Sequence, residues 1–86
     1  MNSFTFYSDP GHGWLEVSES DLASVGLNRT DFSAYSYRNG ELLYLEEDRD
    51  ASLFLKAFSD KYGAPVVAEN YTDGDSPIRS MPGLAN

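Results

Sequence analysis

The sequence predicts a small α+β domain with its elements in the order ββαββαβ, in which one main helix packs on an antiparallel sheet. Three observations carry that prediction. Ser3-Phe4-Thr5-Phe6-Tyr7-Ser8 alternates with the period of a strand, so Phe4 and Phe6 share a face. Asn39-Gly40 stands between two alternating apolar runs, the setting that favours a two-residue hairpin turn. The stretch ending at Tyr62 has a broad apolar face and stops at Gly63, with Pro65 just beyond, as helices do.

The first strand breaks at Asp9-Pro10-Gly11-His12-Gly13, where proline sets φ, glycine frees it and Asp9 can bond its own backbone. This turn leads into a second short strand, Trp14-Leu15-Glu16-Val17, and the two strands form the first hairpin. Ser18-Glu19-Ser20-Asp21 starts a short helix, with a capping serine and acids at the positive end of the helix dipole. Leu22, Val25 and Leu27 supply its apolar stripe, and Gly26 suits its C-terminal cap.

The second hairpin follows. With Asn39 and Gly40 as the loop of a type I′ turn, Tyr35 lies opposite Tyr44, Ser36 opposite Leu43 and Tyr37 opposite Leu42. One face then carries Ala34, Ser36, Leu43 and Leu45, a bed for a helix; the other carries Tyr35, Tyr37, Leu42 and Tyr44. The tyrosine face is either the second side of the core or a partly exposed platform. The main helix starts with Asp48 or Asp50 as its N-cap, and Phe54 and Phe58 are expected to bury against Leu43, Leu45 and an N-terminal Phe. Val66-Val67-Ala68-Glu69-Asn70-Tyr71 reads as the last strand. These elements make a single domain over residues 1–86, with a folded core over 1–71 and a loop and loose tail over 72–86.

Composition narrows function. The 86 residues include fourteen Asp and Glu against six Lys and Arg, a net charge of −8. Such a surface repels nucleic acid and anionic membrane and attracts basic protein. With no cysteine there is no disulfide, thiolate nucleophile or thiolate metal ligand, and a reducing compartment is the default. Residues 1–17 lack a signal-peptide pattern, and no apolar run approaches the roughly 20 residues that span a bilayer, so the expected location is cytoplasmic.

No catalytic constellation emerges, and the chain reads as a non-enzyme without cofactor or metal. His12 is the single histidine, and with neither a second histidine nor a cysteine it reads as a turn residue that helps seat Trp14. Gly11-x-Gly13 lacks the third glycine and following helix of a phosphate loop, and Asp73-Gly74-Asp75 is not continued into a calcium loop. The run Glu46-Glu47-Asp48-Arg49-Asp50 holds more acid than helix capping requires. The expected partner-binding residues are therefore Glu41, Glu46, Glu47, Asp48 and Asp50, together with Tyr35, Tyr37 and Tyr44. Base stacking on those tyrosines is disfavoured by the charge, which leaves core packing or a protein interface.

The stretch Asp9-Pro10-Gly11-His12-Gly13-Trp14-Leu15-Glu16-Val17, the Tyr-rich hairpin ending in Leu45-Glu46-Glu47-Asp48 and the late Ser76-Pro77-Ile78-Arg79 resemble a group of small acidic proteins carried by phages and other mobile elements. The resemblance spans nearly the whole chain. It implies a setting similar to that of anti-CRISPR or anti-restriction inhibitors, and a partner of the class they block: the basic, nucleic-acid-binding surface of a host protein. DNA mimicry is bounded by size. Duplex DNA as long as the roughly 30 Å diameter of this domain carries about 18 phosphates, so a charge of −8 imitates only a short stretch of backbone. The alternative reading is a structural or regulatory subunit, possible as a homodimer, that associates through the tyrosine-rich hairpin face or the last strand.

Overall fold

The alternation at the N-terminus is realised as strand β1, Ser3–Ser8, which pairs antiparallel with β2, Gly13–Ser18, across the Asp9–His12 turn. The computed structural model describes residues 3–84. A short helix α1 (Glu19–Ser24) and a 3-10 turn (Arg29–Asp31) lead to the second hairpin, β3 (Tyr37–Asn39) and β4 (Leu42–Glu46). Helix α2 (Asp50–Tyr62), strand β5 (Val66–Tyr71) and a second 3-10 turn (Pro77–Ser80) complete the described chain. The α+β class and the expected order of elements both hold. Ser18 caps α1 in a full capping box with Asp21, as the sequence indicated.

The five strands lie in the order β3-β4-β2-β1-β5. Three of the four pairings are antiparallel, whereas β5 joins β1 in parallel, so the sheet is mixed rather than wholly antiparallel. The cause is α2. It carries the chain back along the sheet, so β5 restarts from the same end as β4 and runs in the same direction as β1.

The second hairpin turns one residue later than expected. Gly40 and Glu41 form its loop, with Gly40 at φ +62° and Asn39 in ordinary extended backbone, so the turn has the φ pattern of type II′ and not of type I′. Tyr37 consequently faces Tyr44, Arg38 faces Leu43 and Asn39 faces Leu42. The register is displaced by two residues, an even number, so each side chain stays on its expected face. Strand β3 is also short. Ser33 and Ser36 leave the sheet to donate to the carboxylate of Asp50, from the Ser33 backbone N–H at 2.9 Å, from its hydroxyl at 2.7 Å and from the Ser36 hydroxyl.

On one face of the sheet, Phe4, Leu15, Val17, Leu43 and Leu45 form the main core with Leu22, Ala51, Phe54 and Phe58. Phe4 meets Phe54 and Phe58 edge-on, with ring centroids 5.2 and 5.1 Å apart, the arrangement that the aromatic quadrupole favours. Close packing next to this face demands glycine at position 13, where a Cβ would lie 2.3 Å from the Phe6 ring. On the opposite face, Trp14, Tyr44 and Ile78 form a second buried cluster, against which Tyr7, Tyr37 and Met81 pack.

Within the span expected to be a loop and loose tail, 72–86, the described part is loop and 3-10 turn packed against the sheet. Residues 72–84 form a strap that lays Ile78 and Met81 on the aromatic face, rounds the β3 edge and returns Leu84 to the main core. At that edge Arg38 N–H donates to the Pro82 carbonyl at 3.0 Å and Leu84 N–H to the Ser36 carbonyl at 2.8 Å. The polar composition of 72–77 hid this, because the strap is held by a few separated contacts and not by a periodic apolar pattern. Asn86 and Ala85 lie outside the described residues. No helix among the described residues is long and apolar enough to cross a membrane.

Candidate partner-binding cleft

The chain places two distant segments against each other through one carboxylate. Asp9, whose side chain is 1% exposed, accepts from the backbone N–H groups of Gly11 and His12 in its own turn and of Ser76 in the strap, at 2.9 to 3.0 Å. Arg79 closes the set with a two-pronged ion pair, Nε at 2.6 Å and Nη2 at 2.9 Å. The Arg79 guanidinium, helped by these N–H groups against the cost of burial, holds the Asp9 carboxyl well below the usual carboxylate range. The same pairing raises the already high pKa of Arg79. Its guanidinium lies over the Trp14 ring, 5.5 Å from the centroid. The Asp9-to-Trp14 stretch and Ser76-Pro77-Ile78-Arg79 thus meet as one structural unit.

Beside this unit opens a cleft of about 310 Å³, lined by His12, Trp14, Tyr35, Tyr37, Glu46, Asp48 and Arg79. It lies at the end of the sheet where β2 begins and β4 ends, beside the start of α2. Trp14, itself 2% exposed, and the half-buried Tyr37 line it, with ring centroids 6.1 Å apart in a T-shaped pair, and the His12 ring lies 6.0 Å from that of Trp14. Tyr35, 76% exposed, stands at the rim. Because Arg79 is neutralised by Asp9, Glu46 and Asp48 leave the cleft net negative. Carboxylates beside the Tyr35 and Tyr37 rings are suited to a guanidinium or ammonium group.

Four of the eight expected binding residues therefore share this cleft: Tyr35, Tyr37, Glu46 and Asp48. Glu47 is exposed on the adjoining side, where it borders a shallower hollow with Asp9, Pro10 and Glu69. The remaining three lie outside the cleft: Asp50 and Tyr44 are buried, and Glu41 is exposed elsewhere. Asp50 is 1% exposed and is consumed by Ser33 and Ser36, a buried polar link between α2, the 33–36 loop and, through the Ser36 hydroxyl, the backbone N–H of Glu46. Tyr44 is buried, and its hydroxyl donates to Glu16 at 2.9 Å; burial, reinforced by Glu16, pushes its pKa up to about 12. Glu41 is exposed in the hairpin loop at the opposite end of β4, roughly 17 Å along the strand from the cleft.

Neither Asp48 nor Asp50 caps α2: Arg49 occupies the N-cap position and no side chain caps the helix. The Glu46 carboxylate instead orders the turn before the helix, accepting from Asp48 N–H at 3.0 Å and Arg49 N–H at 3.1 Å. Sequence reasoning placed Trp14 on the second strand, seated by His12, without seeing that it lines the cleft, and it missed Arg79 as a cleft residue. The one available signal was the joint presence of the Asp9-to-Trp14 and Ser76-to-Arg79 segments in the resemblance. Among the described residues no group of three His, Cys, Asp or Glu side chains gathers where it could hold a metal. No family model matches the chain, and neither a curated protein nor a solved structure matches it.

Proposed function

We propose that this chain is a non-enzymatic acidic binding protein that docks on a basic surface of a host protein and accepts a Lys or Arg side chain in the Trp14–Tyr37 cleft. The single observation that supports this reading most strongly is the convergence of Glu46 and Asp48 with three aromatic rings in one concavity. The net charge of −8 steers encounter with such a surface and keeps nucleic acid away. In the setting implied by the resemblance to phage and mobile-element proteins, the blocked surface belongs to a nucleic-acid-processing defence complex, as with anti-CRISPR-like or anti-restriction-like inhibitors, and the site of action is the host cytoplasm. The alternative of association through the tyrosine-rich hairpin face loses its ground. Tyr44 is buried and Tyr37 half-buried beneath the strap, so that face is largely core.

Trp14 is the only tryptophan and lines the cleft, so its fluorescence reports occupancy. Titration with a short arginine peptide is expected to change Trp14 emission saturably, with weaker binding at high salt. The matching citrulline peptide, which keeps the shape and removes the charge, is expected to bind at least several-fold more weakly. Asp48→Asn combined with Tyr35→Ala, both at exposed positions, should weaken the arginine response about tenfold and leave folding intact. Equal responses to both peptides, or no loss in the double variant, would overturn the reading. Glu46 is spared in this test because its carboxylate orders the turn before α2.

A further inference from the structure

Strand β5 is built unlike the other four. All six of its residues are exposed, including Val66 at 69%, Val67 at 43% and Tyr71 at 57%, and among the described residues it is hydrogen-bonded to β1 alone. Of the devices that natural sheets use to discourage pairing, its outer edge carries only a single acid, Glu69. The register with β1 runs unbroken from Val66 to Tyr71 without a bulge, and the strand contains no Lys, Arg or Pro. Its one charge, Glu69, is drawn inward to accept from the Ser8 hydroxyl at 2.7 Å. The opposite edge of the sheet, by contrast, is covered by the strap, with Gly83 bridging Tyr37.

We propose that β5 pairs antiparallel with β5 of a second copy of this chain, joining two five-stranded sheets into one of ten strands. Three features select a second copy as the occupant. The edge is a β-strand's backbone, and what satisfies it is another strand with an open edge, which each copy supplies once. Because the β3 edge is closed, pairing stops at two and cannot extend into a fibre. Charge favours this strand above the rest of so acidic a surface, since β5 carries a single acid.

The charge also selects the register. A two-fold axis normal to the sheet permits centring on Glu69, which would oppose two carboxylates, or on Ala68, which sets Val67 against Glu69 of the other copy and Val66 against Asn70. The Ala68-centred register is the assembled one. A six-residue strand pair lies at the small end of interface sizes, so association is expected to be weak. The two acidic clefts remain open at the outer parts of the joined sheet.

Sedimentation velocity from low micromolar to near-millimolar concentration tests this directly, with a monomer–dimer equilibrium expected for the natural sequence. Ala68→Lys places like charges face to face across the axis and should shift dissociation at least tenfold toward monomer. Val67→Lys instead meets Glu69 of the other copy and should leave the dimer intact or tighten it. A protein that stays monomeric throughout overturns the proposal, as does a dimer indifferent to Ala68→Lys or one lost equally in both variants. If a variant fails to fold, hydrogen exchange on the natural sequence decides: β5 amides that gain protection with rising concentration support the pairing, and unchanged protection refutes it. These readouts are independent of the cleft, so the docking reading and the dimer stand or fall separately.

Discussion

On the helix side of the sheet, Phe4, Leu15, Leu43 and Leu45 lie under Phe54 and Phe58 of one continuous helix, whereas on the other side Trp14 and Tyr44 are closed by Ile78 and Met81 of an irregular strap. The first cover is held by area: a periodic apolar face with aromatic edge contacts spread along α2. The second is held at points, by apolar anchors at Ile78 and Met81, two backbone hydrogen bonds at the β3 edge and one ion pair between Asp9 and Arg79. Consequently loss of the Asp9–Arg79 pair is expected to loosen the strap side before the helix side. The candidate cleft lies on the strap side, where Arg79 both holds the strap and walls the cleft.

The sharpest break of this contrast is Phe58→Ala, which should cost about 3–5 kcal/mol and approach the whole stability of so small a domain. Chemical denaturation should show an unfolded or barely cooperative protein; a cooperative transition near that of the natural sequence would mean that α2 is not the main cover. Ile78→Ala should fall toward the lower end of about 2–5 kcal/mol, because a strap can shift to fill part of the space. Its diagnostic is local: hydrogen exchange should speed up in the strap and around Trp14 while β1, β2 and α2 keep their protection. Uniform loss across the chain would show that the two sides unfold as one unit.

Acid separates the sides next. The Asp9 carboxyl is depressed in the folded protein, so its contribution is present above about pH 4, the range of an unfolded aspartate, and is lost as pH falls below it. The stability gap between the natural sequence and Asp9→Asn should therefore be full at neutral pH and narrow in acid; a gap constant down to pH 2 would remove the ion pair from the account. The smallest effect is at alkaline pH. Tyr44 is raised to about 12, so its contribution is intact below the unfolded value of about 10 and fades as pH climbs from about 10 to 12. Tyr44→Phe should lose that part of the alkaline slope in a denaturation series, and an unchanged slope would assign it to other tyrosines.

Much of the fold was legible because its signals are local. The period-two run at Ser3–Ser8, the capping serine at Ser18, and Phe54 and Phe58 one helical turn apart each specify an element from its own few residues. Faces were legible too: the two-residue slip of the second hairpin left Tyr37 and Tyr44 on their expected side because side chains alternate with period two. Part of the cleft was legible as acid in excess of capping need at Glu46 and Asp48.

What the sequence by itself determined is thus the α+β class, the order of elements, the core face of α2 and the acidic character of the surface. Tertiary structure alone decided the parallel placement of β5, the folding of residues 72–84 into a strap, the burial of Asp50 and the union of Trp14, Tyr37 and Arg79 around the cleft. The physical reason is range. Asp9 and Arg79 lie seventy residues apart, and an acid in a charged run reads the same whether it meets solvent or, like Asp50, three serine donor groups seventeen and fourteen residues away. Local pattern sets which surface a segment can bury; only the assembled chain decides which polar groups find partners and which remain free to bind.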